Sequence, residues 1–147
     1  METVVKRFEE LSVWELRDIY KLRIAVFIVE QNCPFQDIDD VDEYSYHIMM
    51  KDGDEIVAYA RVVPKGVKFD EVSIGRVISM RRRQGLGTAL MSEGIRIAKE
   101  FLHAERIVVE AQTYARGFYE ASGFSQCSDE FLEDDIPHIM MSLDVRH

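Results

Sequence analysis

The sequence predicts an α+β fold: a mixed, mostly antiparallel sheet with one parallel strand pair, flanked by helices. Three observations predict it. Strand-like runs separated by short turns fill Tyr46 to Ser79, the periodicity turns helical at Gly85, and a new strand begins at Arg106 after that helix. Strands joined by tight turns pair antiparallel, whereas strand, crossover helix, strand makes a parallel pair.

The chain of 147 residues fits one compact domain spanning 1–147, and its 47% hydrophobic content is ample for a single core. No apolar run approaches the roughly 18 to 20 residues that span a bilayer, and the N-terminus has no signal-peptide core, so the expected location is the cytoplasm, without membrane attachment. Cys33 and Cys127 match no zinc or redox spacing and read as reduced, packed thiols. The four histidines likewise show no metal-ligand spacing, and His103 and His147 read as surface residues. A formal net charge of -9 makes most of the surface repel a nucleic-acid backbone.

Ser12 and Glu15 form a capping box, and Leu16, Ile19, Tyr20, Arg23 and Phe27 recur at helical spacing, so a first helix covers about 13 to 25 and starts the domain. The polar stretch from Glu30 to Glu43, with Pro34 and four aspartates, reads as a long surface loop. An antiparallel meander follows: Tyr46 to Met50, a turn at 51–54, Glu55 to Val63, a turn at 64–66, and Val72 to Ser79. From Gly85 the residues Leu86, Leu90, Gly94, Ile97 and Phe101 form one stripe of a helix that reaches about Leu102. Arg106 to Glu110 is a strand, about Tyr114 to Ser122 a short helix with Gly123 as its C-cap, and further strands lie near Phe124 and from His138 to Leu143. Repeats, low-complexity segments and a second domain find no support.

The residues with the clearest chemistry are Arg81 to Arg83, set against the glycine-rich turn Gln84-Gly85-Leu86-Gly87. Glycines let backbone N–H groups approach an anion closely, and the following helix adds its unpaired donors and positive dipole end. In an acidic protein this is a cradle for phosphates on a small partner. Two glycines alone are also common in structural turns. Downstream stands the run from Gln112 to Phe124, with Phe118, Tyr119, Gly123 and Phe124.

Together these segments resemble the GCN5-related N-acetyltransferases (GNAT), whose acyl-CoA motif is Arg or Gln, two residues, Gly, one residue, Gly or Ala, met here by Arg82, Gly85 and Gly87. The family's later motif ends in a tyrosine shortly before Gly-Phe. The segments Val26 to Asp39, Ile74 to Val77 and Ile136 to Ile139 are similar to the ElaA-type branch, and the likeness covers most of the chain. Position 83, often glycine in the family, is arginine here. The resemblance implies the GNAT acyltransferase fold, acetyl-CoA (coenzyme A) as donor, and a cofactor wedged where neighbouring parallel strands part. Carried over by motif, the cofactor contacts are Val77, Ile78, Ser79, Arg82, Arg83, Gln84, Gly85, Leu86, Gly87, Thr88, Gln112, Phe118 and Tyr119.

The reaction so implied is direct attack of an amine on the thioester. It assigns Tyr119 as general acid for the leaving thiolate; the competing reading is an aromatic that packs against the cofactor. The amine must also lose a proton, for which Glu30, Glu110, His47 and His138 are candidates, with a backbone-bonded structural role as the alternative for His138. Arg61 and Arg76 interrupt apolar strands. Either they pair with Glu30, Glu110 or an aspartate of the long loop, or one binds an acceptor carboxylate, with Glu30 and His47 as further acceptor contacts. The acidic loop admits the opposite reading, a cationic acceptor, as well as plain solvation. The acceptor is a primary amine of a small molecule or peptide, and homodimerisation is compatible with the sequence. Rival readings are transfer of a longer acyl chain, and an acyl-CoA sensor or interaction domain without turnover.

Overall fold

The computed structural model describes residues 1–80 and 85–146. The strands are β1 (Glu2–Arg7), β2 (Tyr46–Asp52), β3 (Glu55–Val63), β4 (Val72–Ser79), β5 (Arg106–Gln112), β6 (Ser125–Gln126), β7 (Phe131–Glu133) and β8 (Ile136–Asp144). They form one sheet in the order β1-β2-β3-β4-β5-β8-β6, with β7 also paired to β8. Every pairing is antiparallel except β4 with β5. This is the mixed sheet with one parallel pair that the turns and the crossover helix predict.

Helices cover both faces. On one side α2 (Leu86–Glu100) buries Leu86, Leu90, Met91, Ile97 and Ala98 against Ile48, Ala58, Ala60, Val62 and Ile74 of the sheet. Gly94 lets this helix approach closely, since a Cβ there would stand 3.0 Å from Ile74 Cδ1. On the other side α1 (Val13–Arg23) sets Ile19 against Met49 and Tyr59. Because alternate residues of β3 point to opposite faces, Ala58, Ala60 and Val62 meet α2 while Tyr59 meets α1. The Ser12 capping box holds the start of α1, with Glu15 N–H donating to Ser12 Oγ and Ser12 N–H to Glu15 Oε1.

Four readings are corrected. A strand, β1, precedes the first helix and pairs with β2, so the helix does not start the domain. The helix does not end near residue 25 but continues as π-helical turns over Ile24–Glu30; such widened turns are rare and often accompany functional sites. Cys127 is exposed rather than packed, whereas Cys33 is buried. The acidic loop is not simply solvated. Asp37 and Asp42 are buried, and its end winds into a 3₁₀ segment, Asp40–Tyr44.

What the loop buries is a closed ring of alternating charge. Arg23 pairs with Asp37 and Asp42, Arg61 with Asp42 and Asp39, and Arg76 with Asp39 and Asp37. Three guanidinium groups thus meet three carboxylates and the ring is neutral. The Arg61 pairing with Asp39 is bidentate, at 2.7 and 3.1 Å. Beside it the Tyr59 hydroxyl donates to His47 Nδ1 at 2.6 Å, and His47 Nε2 donates to the Asp42 carbonyl at 2.9 Å. Asp42 Oδ2 and Arg61 Nε, both buried, have no hydrogen-bond partner among the described residues.

Candidate functional site

The parallel pair is brief. Only Val72 with Ile107 and Ser73 with Val108 are in register, after which β4 and β5 diverge. Their divergent halves, with the turns around them, enclose a cavity of about 660 Å³. Gly75, Arg76, Val77 and Ser79 line it from β4, and Glu110 and Gln112 from β5.

β4 also carries a bulge. Tyr59 lies opposite Ile78 and Arg61 opposite Gly75, so Arg76 and Val77 share the place facing Ala60. Arg76 has φ 53°, a left-handed conformation that costs an L-residue about 1 to 2 kcal/mol. The ring holds it there: Arg76 Nε donates to Asp37 Oδ1 at 2.8 Å, and the guanidinium lies 5.6 Å over the Phe35 ring.

Tyr119 stands on α3 (Arg116–Ala121), which a 3₁₀ turn, Thr113–Ala115, joins to β5. Phe118 and Phe124 pack edge-on against its ring. Burial, with a smaller contribution from Tyr114, pushes its phenol up to about 12, so the hydroxyl keeps its proton at neutral pH. It lines the cleft and has no hydrogen-bond partner among the described residues.

The start of α2 meets the same cavity. Gly85 has φ 71°, a conformation glycine adopts without penalty, and leads into the helix. By helix geometry the first-turn N–H groups of Leu86, Gly87 and Thr88 have no carbonyl within the helix to bond. Gly87 lines the cavity, and a Cβ there would stand 2.9 Å from Phe118 Cε1. Diverging strands, a glycine turn and a helix N-terminus around one void fit an acyl-CoA, with Val77, Ser79, Gly87, Gln112, Phe118 and Tyr119 along its walls.

Other residues singled out from sequence lie elsewhere. Arg82, Arg83 and Gln84 fall outside the described residues, as does His147. Ile78 and Leu86 are buried, and Thr88 is exposed. Glu30 is exposed and does not line the cleft. His47 is 1% exposed with both ring nitrogens bonded, and Arg61 is enclosed by the charge ring. Glu30, His47 and Arg61, expected as acceptor contacts, thus do not line the cavity. Glu110, Arg76 and His138 lie on the cavity wall. His138 Nδ1 donates to the Ile136 carbonyl at 2.7 Å, and Nε2 has no hydrogen-bond partner among the described residues.

Sequence reasoning missed the remaining wall. Phe27 and Gln31, at the π-helical turns and just beyond, approach from one side together with Cys33 and Phe35. A two-residue turn, Asp134-Asp135, with φ 52° and 63°, joins β7 to β8 and closes the other. Cys33 Sγ donates to the Asp134 carbonyl at 3.4 Å and ties the two together. Only the left-handed Asp-Asp pair between strand-like runs was a local signal for that hairpin.

Residues 15–145 match the family model described as an acetyltransferase (GNAT) domain. The chain is 40% identical to a UPF0039 protein of Schizosaccharomyces pombe over 149 residues, covering 99% of this chain and 98% of that protein. It is 39% identical over 140 residues to the protein ElaA of Escherichia coli, covering 92% of each. Among solved structures, it is similar to an acyl-CoA N-acyltransferase from Pseudomonas aeruginosa at 33% identity and TM-score 0.89, covering 97% of this chain and 99% of that one. The crystal structure of E. coli ElaA matches at 37% identity and TM-score 0.89, covering 96% and 97%.

Proposed function

We propose that this chain, which belongs to the GNAT acetyltransferase family and is similar to ElaA, is an acetyl-CoA-dependent N-acetyltransferase acting on a primary amine of a small molecule or peptide. The observation that carries the reading is the cleft where β4 and β5 part, with the Tyr119 hydroxyl on its wall and the Gly85 turn at its end.

A bound acetyl-CoA supplies an activated thioester. Val77, Ser79 and Gln112 hold its pantetheine arm between the strands, and the α2 N-terminus holds its phosphates, joined by Arg82 and Arg83 on the strength of the sequence motif. The Tyr119 hydroxyl donates a hydrogen bond to the departing sulfur, as the general acid that stabilises the leaving thiolate. A thiol has an ordinary pKa of about 8.5, so a phenol raised to about 12 remains protonated while the sulfur leaves, and the developing thiolate accepts its hydrogen bond. His138 Nε2 and the Glu110 carboxylate, both on the cavity wall, are the groups placed to relay a proton from the incoming ammonium.

Release of free thiol from acetyl-CoA in the presence of a broad amine panel tests the proposal. Acceptor-dependent release is the expected result, and longer acyl-CoA donors in the same assay report chain preference. Tight acetyl-CoA binding with no release for any amine would replace the enzyme by a sensor.

A further inference from the structure

The charge ring is neutral, and two cations, Arg76 and Lys68, line the cavity it borders. Of the ring's three arginines only Arg76 lines the cavity; its Nε and one terminal nitrogen face Asp37 and Asp39, and Nη1 has no partner among the described residues. Lys68, on the turn between β3 and β4, lines the same cavity and has no ion-pair partner among the described residues. Although Lys68 is exposed as a residue, crowding of its ammonium and the nearby Arg76 and Arg61 push its pKa down. Asp39, paired within the ring, and Glu110, Glu133 and Asp134 line the same cavity. A guanidinium edge and an ammonium facing one void, with the guanidinium backed by carboxylates and an aromatic face, is an arrangement built for an oxyanion.

We infer that Arg76 and Lys68 form a carboxylate subsite, so that the acceptor is an amine carrying its own carboxylate, an amino-acid-like zwitterion. The inference rests on the acyltransferase reading. Glu110 and His138 line the same cavity, so one molecule bridges the cationic corner and the proton-relaying groups, with its amine toward the thioester. A simple polyamine gains nothing from the Arg76 and Lys68 corner. Of the long loop's aspartates, Asp37, Asp39 and Asp42 are committed to arginines, and Asp40 does not line the cavity.

The test pairs free amino acids with their amides, and adds putrescine as a purely cationic acceptor, in the thiol-release assay with acetyl-CoA. The expected result is a preference of about tenfold to a hundredfold in kcat/KM for a free amino acid over its amide, the size of a charge-assisted contact. Lys68→Gln and Arg76→Gln should raise KM for the acid by a similar factor, leave the amide's KM nearly unchanged, and leave acetyl-CoA affinity intact. If Arg76→Gln unfolds because the ring is broken, Lys68→Gln still decides. Equal use of acid and amide, or a preference for putrescine, overturns the subsite while the acyltransferase reading stands. If no acceptor releases thiol, calorimetric titration of the same amino acids and amides onto wild type and Lys68→Gln decides separately. Binding that needs both the carboxylate and Lys68 supports the subsite, and its absence overturns it.

Discussion

The two flanks of the cleft handle polar groups in opposite ways. Behind β4, Arg23, Arg61 and Arg76 close a ring with Asp37, Asp39 and Asp42, in which each charge meets two opposite ones. Across the void, β5, α2 and α3 present the Tyr119 hydroxyl and the α2 N-terminus, with no carboxylate or carbonyl among the described residues set against that hydroxyl. A buried charge is costly unless compensated, so the first flank is built to stay as it is. Polar groups left facing a void await a partner from outside. Pairing therefore separates enclosed arginines from the one on the cavity wall, and Arg76, whose Nη1 has no partner among the described residues, stands at the boundary.

The largest expected effect comes from breaking the ring. Asp42→Ala leaves Arg23 and Arg61 each short of a buried counter-charge, which should cost about 3 to 5 kcal/mol of stability. A denaturant melt should show it as a lower midpoint with an unchanged slope. A loss under roughly 1 kcal/mol would mean the ring is not the framework of this flank.

Across the cleft, Tyr119→Phe should do the reverse. Its aromatic contacts with Phe118 and Phe124 survive, so the melt should move little, while single-turnover acetyl transfer should slow by roughly 10²- to 10⁴-fold. Acetyl-CoA affinity should change by less than about tenfold. Equal transfer rates would reduce Tyr119 to packing and erase the contrast between the flanks.

Arg82→Ala sharpens the comparison at the phosphate end. It should weaken acetyl-CoA binding by about ten- to a hundredfold in calorimetric titration without lowering the melting temperature. Gly87→Ala probes the same end sterically. Its Cβ would start 2.9 Å from the Phe118 ring, so the ring must turn or the helix shift. A cost of about 1 kcal/mol in stability is expected, with a several-fold weaker acetyl-CoA affinity.

The smallest effect lies away from both flanks, at Glu15. Lys51, Ser12 and Lys6 together outweigh desolvation and hold its carboxyl down to about 2 from the ordinary 4.5. A depressed carboxyl stabilises fully above about pH 4.5, and that stabilisation is lost as the pH falls toward 2. Glu15→Gln should accordingly flatten the decline in melting temperature over that window, with its cost greatest above about pH 4.5.

Much of this was legible in the residues alone. The Ser12 to Glu15 cap, the stripe from Leu86 to Ile97, the strand bounds at Glu55 to Val63 and Val72 to Ser79, and the left-handed Gly123 just past α3 are set by interactions spanning a few residues, whereas Phe101 lies past the helix and is exposed. The same holds for the glycine turn and for Tyr119 before Gly-Phe. β1 escaped because Glu2–Arg7 is a half-exposed edge strand without a sharp alternation. The helix was read short because its last turns widen to a π geometry that breaks the 3.6-residue period.

Only the tertiary structure decided which charges are spent and which are free. Arg61 and Arg76 look alike in sequence, each a cation in an apolar strand, yet one is sealed against Asp39 and Asp42 and the other reaches the cavity. His47 and His138 separate in the same way, into a doubly bonded core residue and a cavity wall. Partners in the ring lie 14 to 39 residues apart. Their meeting depends on the register of β3 against β4, on the bulge that turns Arg76, and on the closure of the long loop over both. Local propensity reports none of these, because each is settled by the energy of packing distant segments together.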